Sequence, residues 1–266
     1  MYLMKSIHRL LTIGCVLVGL MVLVSTISAF FSPSIQAALM VPTTPGSRPN
    51  TAITTQPTTH TSKMISLPSP TAITAALLAQ DTFQRTNQRF WGTASDGQTW
   101  GGNANSFANF AVAGQAGLIG NGRGVFEATL GPRAMDAEVV FSGSLSLFGN
   151  GASNIGSVLR WMDTNNWYKA YLDGAQLILL KKVAGKLTRL NTTPFTAQSG
   201  KEYTLRFRII GTALAAKVWP TGQAEPVTWM VMANDTSLSS GFGGLRVFIQ
   251  DAAVVRITTF TEMIAR

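Results

Sequence analysis

The sequence predicts an all-β domain, a sandwich or barrel, placed behind an apolar N-terminal segment and a spacer. Three observations carry this. Stretches of alternating apolar and polar residues recur from Asp81 onward, and glycine-containing turn signals separate them. No stretch after residue 80 has the spacing of a convincing amphipathic helix. With 46% hydrophobic and 12% charged residues in 266, the chain can bury a large core.

The first element runs from Leu10 to Phe31 without a charge, and Lys5, His8 and Arg9 precede it. About 20 apolar residues suffice to span a bilayer, and the basic flank stays in the cytoplasm. Two fates fit. Ser34 to Ala38 offers a signal-peptidase site with Ala37 before the cut, or the segment remains as a one-pass anchor. Either fate puts the rest of the chain outside the cytoplasm. Cys15 is the only cysteine, so no intrachain disulfide forms. The apolar run continues past Cys15, where a lipidated cysteine would close it, so Cys15 reads as an apolar membrane-facing residue. Residues 1–38 are therefore assigned as signal peptide or transmembrane anchor.

Residues 39–78 change character. Thr, Ser and Pro dominate, nothing alternates long enough to pack, and the stretch reads as an extended, disordered spacer. The β-sandwich domain is assigned to 79–266. Tyr203, Leu205, Phe207 and Ile209 alternate with polar residues and share one buried face of a strand. Asp173-Gly174, between NWYKAYL and AQLILLKK, signals a hairpin, and so does Gly211-Thr212; Gly185-Lys186 separates LILLKKV from LTRL. Further strands are expected at Val125–Leu130, Ser157–Met162, Thr228–Met232, Gly244–Ile249 and Val254–Thr259.

The order of several segments resembles one family. Asp81-Thr82-Phe83-Gln84-Arg85 precedes Gly92-Thr93-Ala94-Ser95-Asp96-Gly97 and Trp100. Val158-Leu159-Arg160, Asn166-Trp167-Tyr168-Lys169-Ala170 and Tyr203-Thr204-Leu205-Arg206 follow. Then come Ala216-Lys217-Val218-Trp219, Gly222 to Pro226, Trp229 and Gly243-Gly244-Leu245-Arg246. Together they resemble the concanavalin A-like (LamG-like) jelly-roll modules of secreted bacterial proteins, over nearly all of 81–262. The resemblance implies a concanavalin A-like jelly-roll β-sandwich. It implies less about function, because the fold hosts lectins, glucanases and adhesion modules. Family members often end on an acidic strand. This chain has Thr258-Thr259-Phe260-Thr261 there, which removes the acids such a cation site would use.

The charge of +9 is scattered, with no basic run and no nucleic-acid motif, so no nucleic-acid partner is expected. His8, His60 and Cys15 all precede residue 79, so the domain holds no Ser-His or Cys-His nucleophile and no His- or Cys-ligated metal. Asp163-Thr164-Asn165-Asn166 starts like a calcium loop but lacks the later ligands, and reads as an Asx-turn. Gly120 to Gly124 lacks the Lys-Ser/Thr of a phosphate loop and reads as a tight turn. No cofactor is implied; a structural calcium stays open as an alternative that no motif supports.

The twelve carboxylates all lie in the domain, and Asp136-Ala137-Glu138 is the nearest approach to a glycosidase pattern, one acid short. The aromatics are the better lead. If Tyr168, Ala170 and Leu172 face the core, then Trp167, Lys169 and Tyr171 form an aromatic and cationic stripe on the outer sheet face, with Arg160, Arg206 and Arg208 as candidate neighbours. These six are the candidate ligand-binding residues. The sequence thus favours an exported, non-catalytic binding or adhesion module. Its expected partner is a polysaccharide or other cell-surface polymer, with the membrane as a second contact through Leu10 to Phe31 if uncleaved. The alternative is a glycoside hydrolase-like enzyme using a carboxylate pair, and a third reading is a structural spacer without ligand.

Overall fold

The structure, a computed structural model, describes residues 76–250 and 252–266. The expected N-terminal helix or signal and nearly all of the spacer lie outside the described residues. Among the described residues no helix is long and apolar enough to cross a membrane.

Fifteen strands follow one another. The first five are β1 (Leu77–Asp81), β2 (Gln88–Arg89), β3 (Phe110–Val112), β4 (Gly117–Ile119) and β5 (Gly124–Ala134). Next come β6 (Ala137–Leu145), β7 (Ile155–Asp163), β8 (Asn166–Leu172), β9 (Gln176–Val183) and β10 (Lys186–Pro194). The last five are β11 (Glu202–Ile210), β12 (Ala213–Pro220), β13 (Val231–Asn234), β14 (Gly241–Ile249) and β15 (Val255–Ile264). They form two antiparallel sheets. The nine-stranded sheet has the order β13-β12-β11-β6-β15-β4-β3-β2, with β1 added on β15; the six-stranded sheet has the order β10-β9-β8-β7-β14-β5. Every sequence-expected strand is present. One is displaced: the expected Thr228–Met232 becomes Val231–Asn234, because Lys217 Nζ donates to Pro226 O at 2.7 Å and holds the preceding segment as a loop over β12. β1 also begins at Leu77, inside the stretch assigned to the spacer.

The core lies between the sheets. Alternation sends Tyr168, Ala170 and Leu172 of β8, Leu177 and Leu179 of β9, and Leu245, Val247 and Ile249 of β14 into it. From the other sheet come Leu205, Phe207 and Ile209 of β11 and Val139 and Phe141 of β6. At one end Phe83, Trp91, Trp100, Phe110 and Phe260 stack edge-on or offset, with centroids 4.8–5.9 Å apart. Asp81 organises this end. Its fully buried carboxylate accepts from Arg85 Nη1 and Nη2 (2.7 and 3.0 Å), Trp100 Nε1 (2.7 Å) and the Phe83 amide (2.8 Å). The Asp-x-Phe-x-Arg segment is thus a structural node, whose acid is satisfied by charge and indole.

Two details of this frame matter below. First, β1 and β15 lie side by side, with Leu77 opposite Met263 and Ile264 N donating to Ala76 O at 2.9 Å. Second, Glu262 of β15 points into the space between the sheets, fully buried, and neither carboxylate oxygen has a hydrogen-bond partner. Room for it is made by Gly243 and Gly131 of the facing sheet, where a Cβ would fall 2.3 Å from Glu262 Cδ and 3.0 Å from its Oε2. Burial pushes the Glu262 carboxyl up to about 8.

Candidate functional site

Since Tyr168, Ala170 and Leu172 belong to the core, Trp167, Lys169 and Tyr171 face outward on the six-stranded sheet. Register then brings in their neighbours. Trp167 lies opposite Lys182 and Lys169 opposite Leu180 on β9. From the far side, Arg246 and Phe248 of β14 point outward, alternating with core residues Leu245, Val247 and Ile249. These side chains, with Asn154, line a pocket of about 150 Å³. That is less than the 300 Å³ or more typical of a pocket for a drug-sized molecule, and suits one end group of a larger ligand.

The rings in this pocket carry cations. The Arg246 guanidinium reaches across β7 and sits 4.6 Å from the Trp167 ring centroid; the Lys169 ammonium sits 4.6 Å from that of Tyr171. Trp167 is only 1% exposed, and its indole N–H donates to Thr164 O at 3.2 Å. Its flat face is therefore covered by Arg246, and Tyr171, half-buried, is the more accessible ring. Arg246 is paired with Glu127, whose Oε1 also accepts from Trp161 Nε1 at 3.4 Å. Lys169 is 4% exposed, and its hydrogen bond goes to a neutral acceptor, Asn154 Oδ1, at 2.5 Å. Burial pushes the Lys169 ammonium down to about 7 and the Arg246 guanidinium down to about 10, and raises the Tyr171 phenol. Lys182 Nζ donates to Thr164 O at 3.0 Å, again a neutral acceptor.

Trp167, Lys169 and Tyr171 are thus together, as the alternation implied. The three arginines are elsewhere. Arg160 has φ of 49°, and the β7–β8 register shifts there, which turns its side chain away from the stripe. It is 5% exposed and ties three segments: Nε donates to Met135 O (2.8 Å), Nη1 to Leu238 O (2.7 Å) and Nη2 to Gly211 O (2.8 Å). Arg206 and Arg208 belong to the other sheet. Arg206 pairs with Glu138 and Glu225, and Arg208 lies 4.5 Å from the ring centroid of Trp229. The Asp136–Glu138 pair is divided between structural partners: Asp136 Oδ1 accepts from Gly211 N and Arg160, and Glu138 meets Arg206.

Sequence reasoning missed Arg246, Lys182 and Asn154. Period-two alternation in Gly244–Ile249 does mark Arg246 as outward. Its place beside β8 depends on β14 pairing with β7, a contact about 80 residues away in sequence that no local pattern reveals. The four-residue Asp163 loop is an Asx-turn as read, with Asn165 N on Asp163 Oδ1 at 2.7 Å.

No family model matches the sequence, and no curated protein does. Solved structures share the fold. A xylan β-1,4-xylosidase from Bacillus halodurans C-125 aligns with TM-score 0.50 and 14% identity, over 69% of this chain and 38% of that one. The GH43 protein BlXynB from Bacillus licheniformis aligns with TM-score 0.51 and 12% identity, over 70% and 39%. The carbohydrate-binding module CBM66 from Bacillus subtilis aligns with TM-score 0.48 and 15% identity, over 70% and 96%. The chain therefore spans about two fifths of the length of the xylosidase and of BlXynB. The domain is an all-β fold of two packed antiparallel sheets, shared with the xylosidase and BlXynB, and consistent with a concanavalin A-like jelly roll.

Proposed function

We propose that the protein is an exported, non-catalytic binding module that holds an end group of a carbohydrate or cell-surface polymer in the pocket over β8. The observation that carries this is the pocket itself. A half-buried ring, Tyr171, stands among hydrogen-bonding groups from Lys169, Asn154 and Lys182 on a rigid sheet face. An aromatic body with polar neighbours matches a sugar's apolar faces and its hydroxyls. No carboxylate lines the pocket among the described residues, while glycoside hydrolysis by a carboxylate pair calls for two flanking the bond. The fold is one that a xylan β-1,4-xylosidase also carries over the aligned part, which agrees with a glycan ligand. Export is supported by the uncharged stretch from Leu10 to Phe31 behind a basic flank.

Retention of the protein in native gels containing xylan, pectin or a sulfated galactan tests the reading. At least one polymer should retard it, and Tyr171→Ala should abolish most of the retardation while leaving the thermal unfolding curve in place. Retardation that is indifferent to Tyr171→Ala would remove this face from consideration.

A further inference from the structure

We infer that the group this pocket receives is anionic, a sugar carboxylate or sulfate ester seated between Lys169 and Lys182. The inference rests on the binding function proposed above and specifies its ligand class.

The argument is one of unbalanced charge. Three cationic side chains line the pocket, from three strands: Lys169 of β8, Lys182 of β9 and Arg246 of β14. Arg246 has its counter-ion in Glu127 behind it. Lys169 and Lys182 have none among the described ion pairs; their ammonium groups donate to the neutral oxygens of Asn154 and Thr164. Other charged groups lie nearby. Asp163, at the β7–β8 turn, is fully exposed and accepts from Asn165 and Asn166; the charge of Lys182 also helps hold its carboxyl below the usual range. Lys182 therefore has a solvent-screened anionic neighbour, while Lys169 feels burial alone. Arg189 of β10 and Asp173 of the β8–β9 turn face Tyr171 with opposite signs.

A buried ammonium without a counter-ion is costly, and surfaces normally supply one. Here the protein supplies a π face and an amide oxygen instead, which orient the Lys169 head without neutralising it. That leaves the attraction for an incoming anion unspent. Burial also makes Lys169 release its proton near pH 7 when the pocket is empty. An anion beside it favours the charged form, so above pH 7 binding takes up a proton. An anionic ligand should therefore bind more weakly as pH rises above about 7, by as much as tenfold per unit. A neutral sugar in the same pocket carries no such linkage.

The test is direct binding of three short probes of similar length, followed by calorimetry between pH 6 and 9: an oligogalacturonate, a sulfated galacto-oligosaccharide and a neutral xylo-oligosaccharide. The expected result is that one of the anionic probes binds about tenfold or more tightly than the neutral one at pH 6, and its identity separates carboxylate from sulfate. Lys182→Gln and Lys169→Gln should each weaken it by about tenfold or more, and Lys169→Gln should flatten the pH dependence. Lys201→Gln, which removes the same charge from an exposed site outside the pocket, should change nothing. Thermal unfolding of each variant separates lost binding from lost fold, and the half-buried Lys182 gives a second variant at the same pocket should Lys169→Gln unfold. Tight binding of the neutral probe, indifferent to both pocket lysines, overturns the anionic inference and leaves the binding function standing. An anion effect shared equally by Lys201→Gln overturns it as general charge attraction. Binding of none of the three overturns both.

Discussion

Glu262→Gln should make the domain more stable, and the gain should depend on pH. The carboxyl is fully buried between the sheets with both oxygens unpartnered, and burial raises it from 4.5 to about 8. Between those values the folded protein holds a proton that the unfolded chain has released. Stability contributed by this group is thus complete below pH 4.5 and is lost as pH rises to 8. The loss is about 1.4 kcal/mol per pH unit, or about 3 kcal/mol by pH 7. Glutamine has nearly the shape of the protonated acid and does not titrate, so it avoids the loss. Urea unfolding followed by tryptophan fluorescence at pH 4.5, 6, 7 and 8 reads the difference. The variant should match the parent within about 1 kcal/mol at pH 4.5, because both then bury a neutral, unpaired polar group. It should exceed the parent by about 3 kcal/mol at pH 7, which for a domain of this length is a rise of roughly 10 °C in Tm. A difference that stays constant from pH 4.5 to 8 would refute the reasoning, since it would mean that the acid keeps an ordinary affinity for its proton in the folded state.

Two further outcomes are expected, the first from the structure and the second from the proposed export. Arg160→Met should destabilise the domain by about 3 kcal/mol in chemical denaturation, because it strips charged donors from the carbonyls of Met135, Leu238 and Gly211, and its effect on glycan retention should be no greater than that instability accounts for. Protease added to intact cells should digest the domain or release it; complete protection until lysis would contradict export.

The strand pattern was legible because alternation and turns are local. β8 begins and ends where NWYKAYL does, and Gly174, with φ of 100°, sits in the hairpin turn that Asp173-Gly174 signalled. Half of the candidate site, Trp167, Lys169 and Tyr171, was legible for the same reason. Arg160 was misplaced with them because one residue in the left-handed region breaks period two, and alternation contains no sign of which residue will do so. Arg206 and Arg208 face outward from their strand as alternation requires, but which sheet receives β11 is decided by its pairing with β6 across about 60 residues. Glu262 ran against the rule that acids face water. Its burial depends on two glycines of the opposite sheet, Gly131 and Gly243, whose absent side chains form a vacancy that only the assembled sandwich creates.

The pairing of β1 with β15 has a consequence for how the domain can be joined to other chains. Ala76 and Ile264 are hydrogen-bonded neighbours, so the polypeptide enters and leaves the sandwich through one doorway. A short bridge across that doorway would close the domain into a ring, and the ring could be reopened at the Ala184-Gly185 turn, far along the sequence, with both sheets retaining their strand order. The same doorway lets the whole module be spliced into a surface loop of an unrelated host without prising the host's loop ends apart. Such a permuted or inserted version would present the β8 pocket at a new angle to whatever carries it.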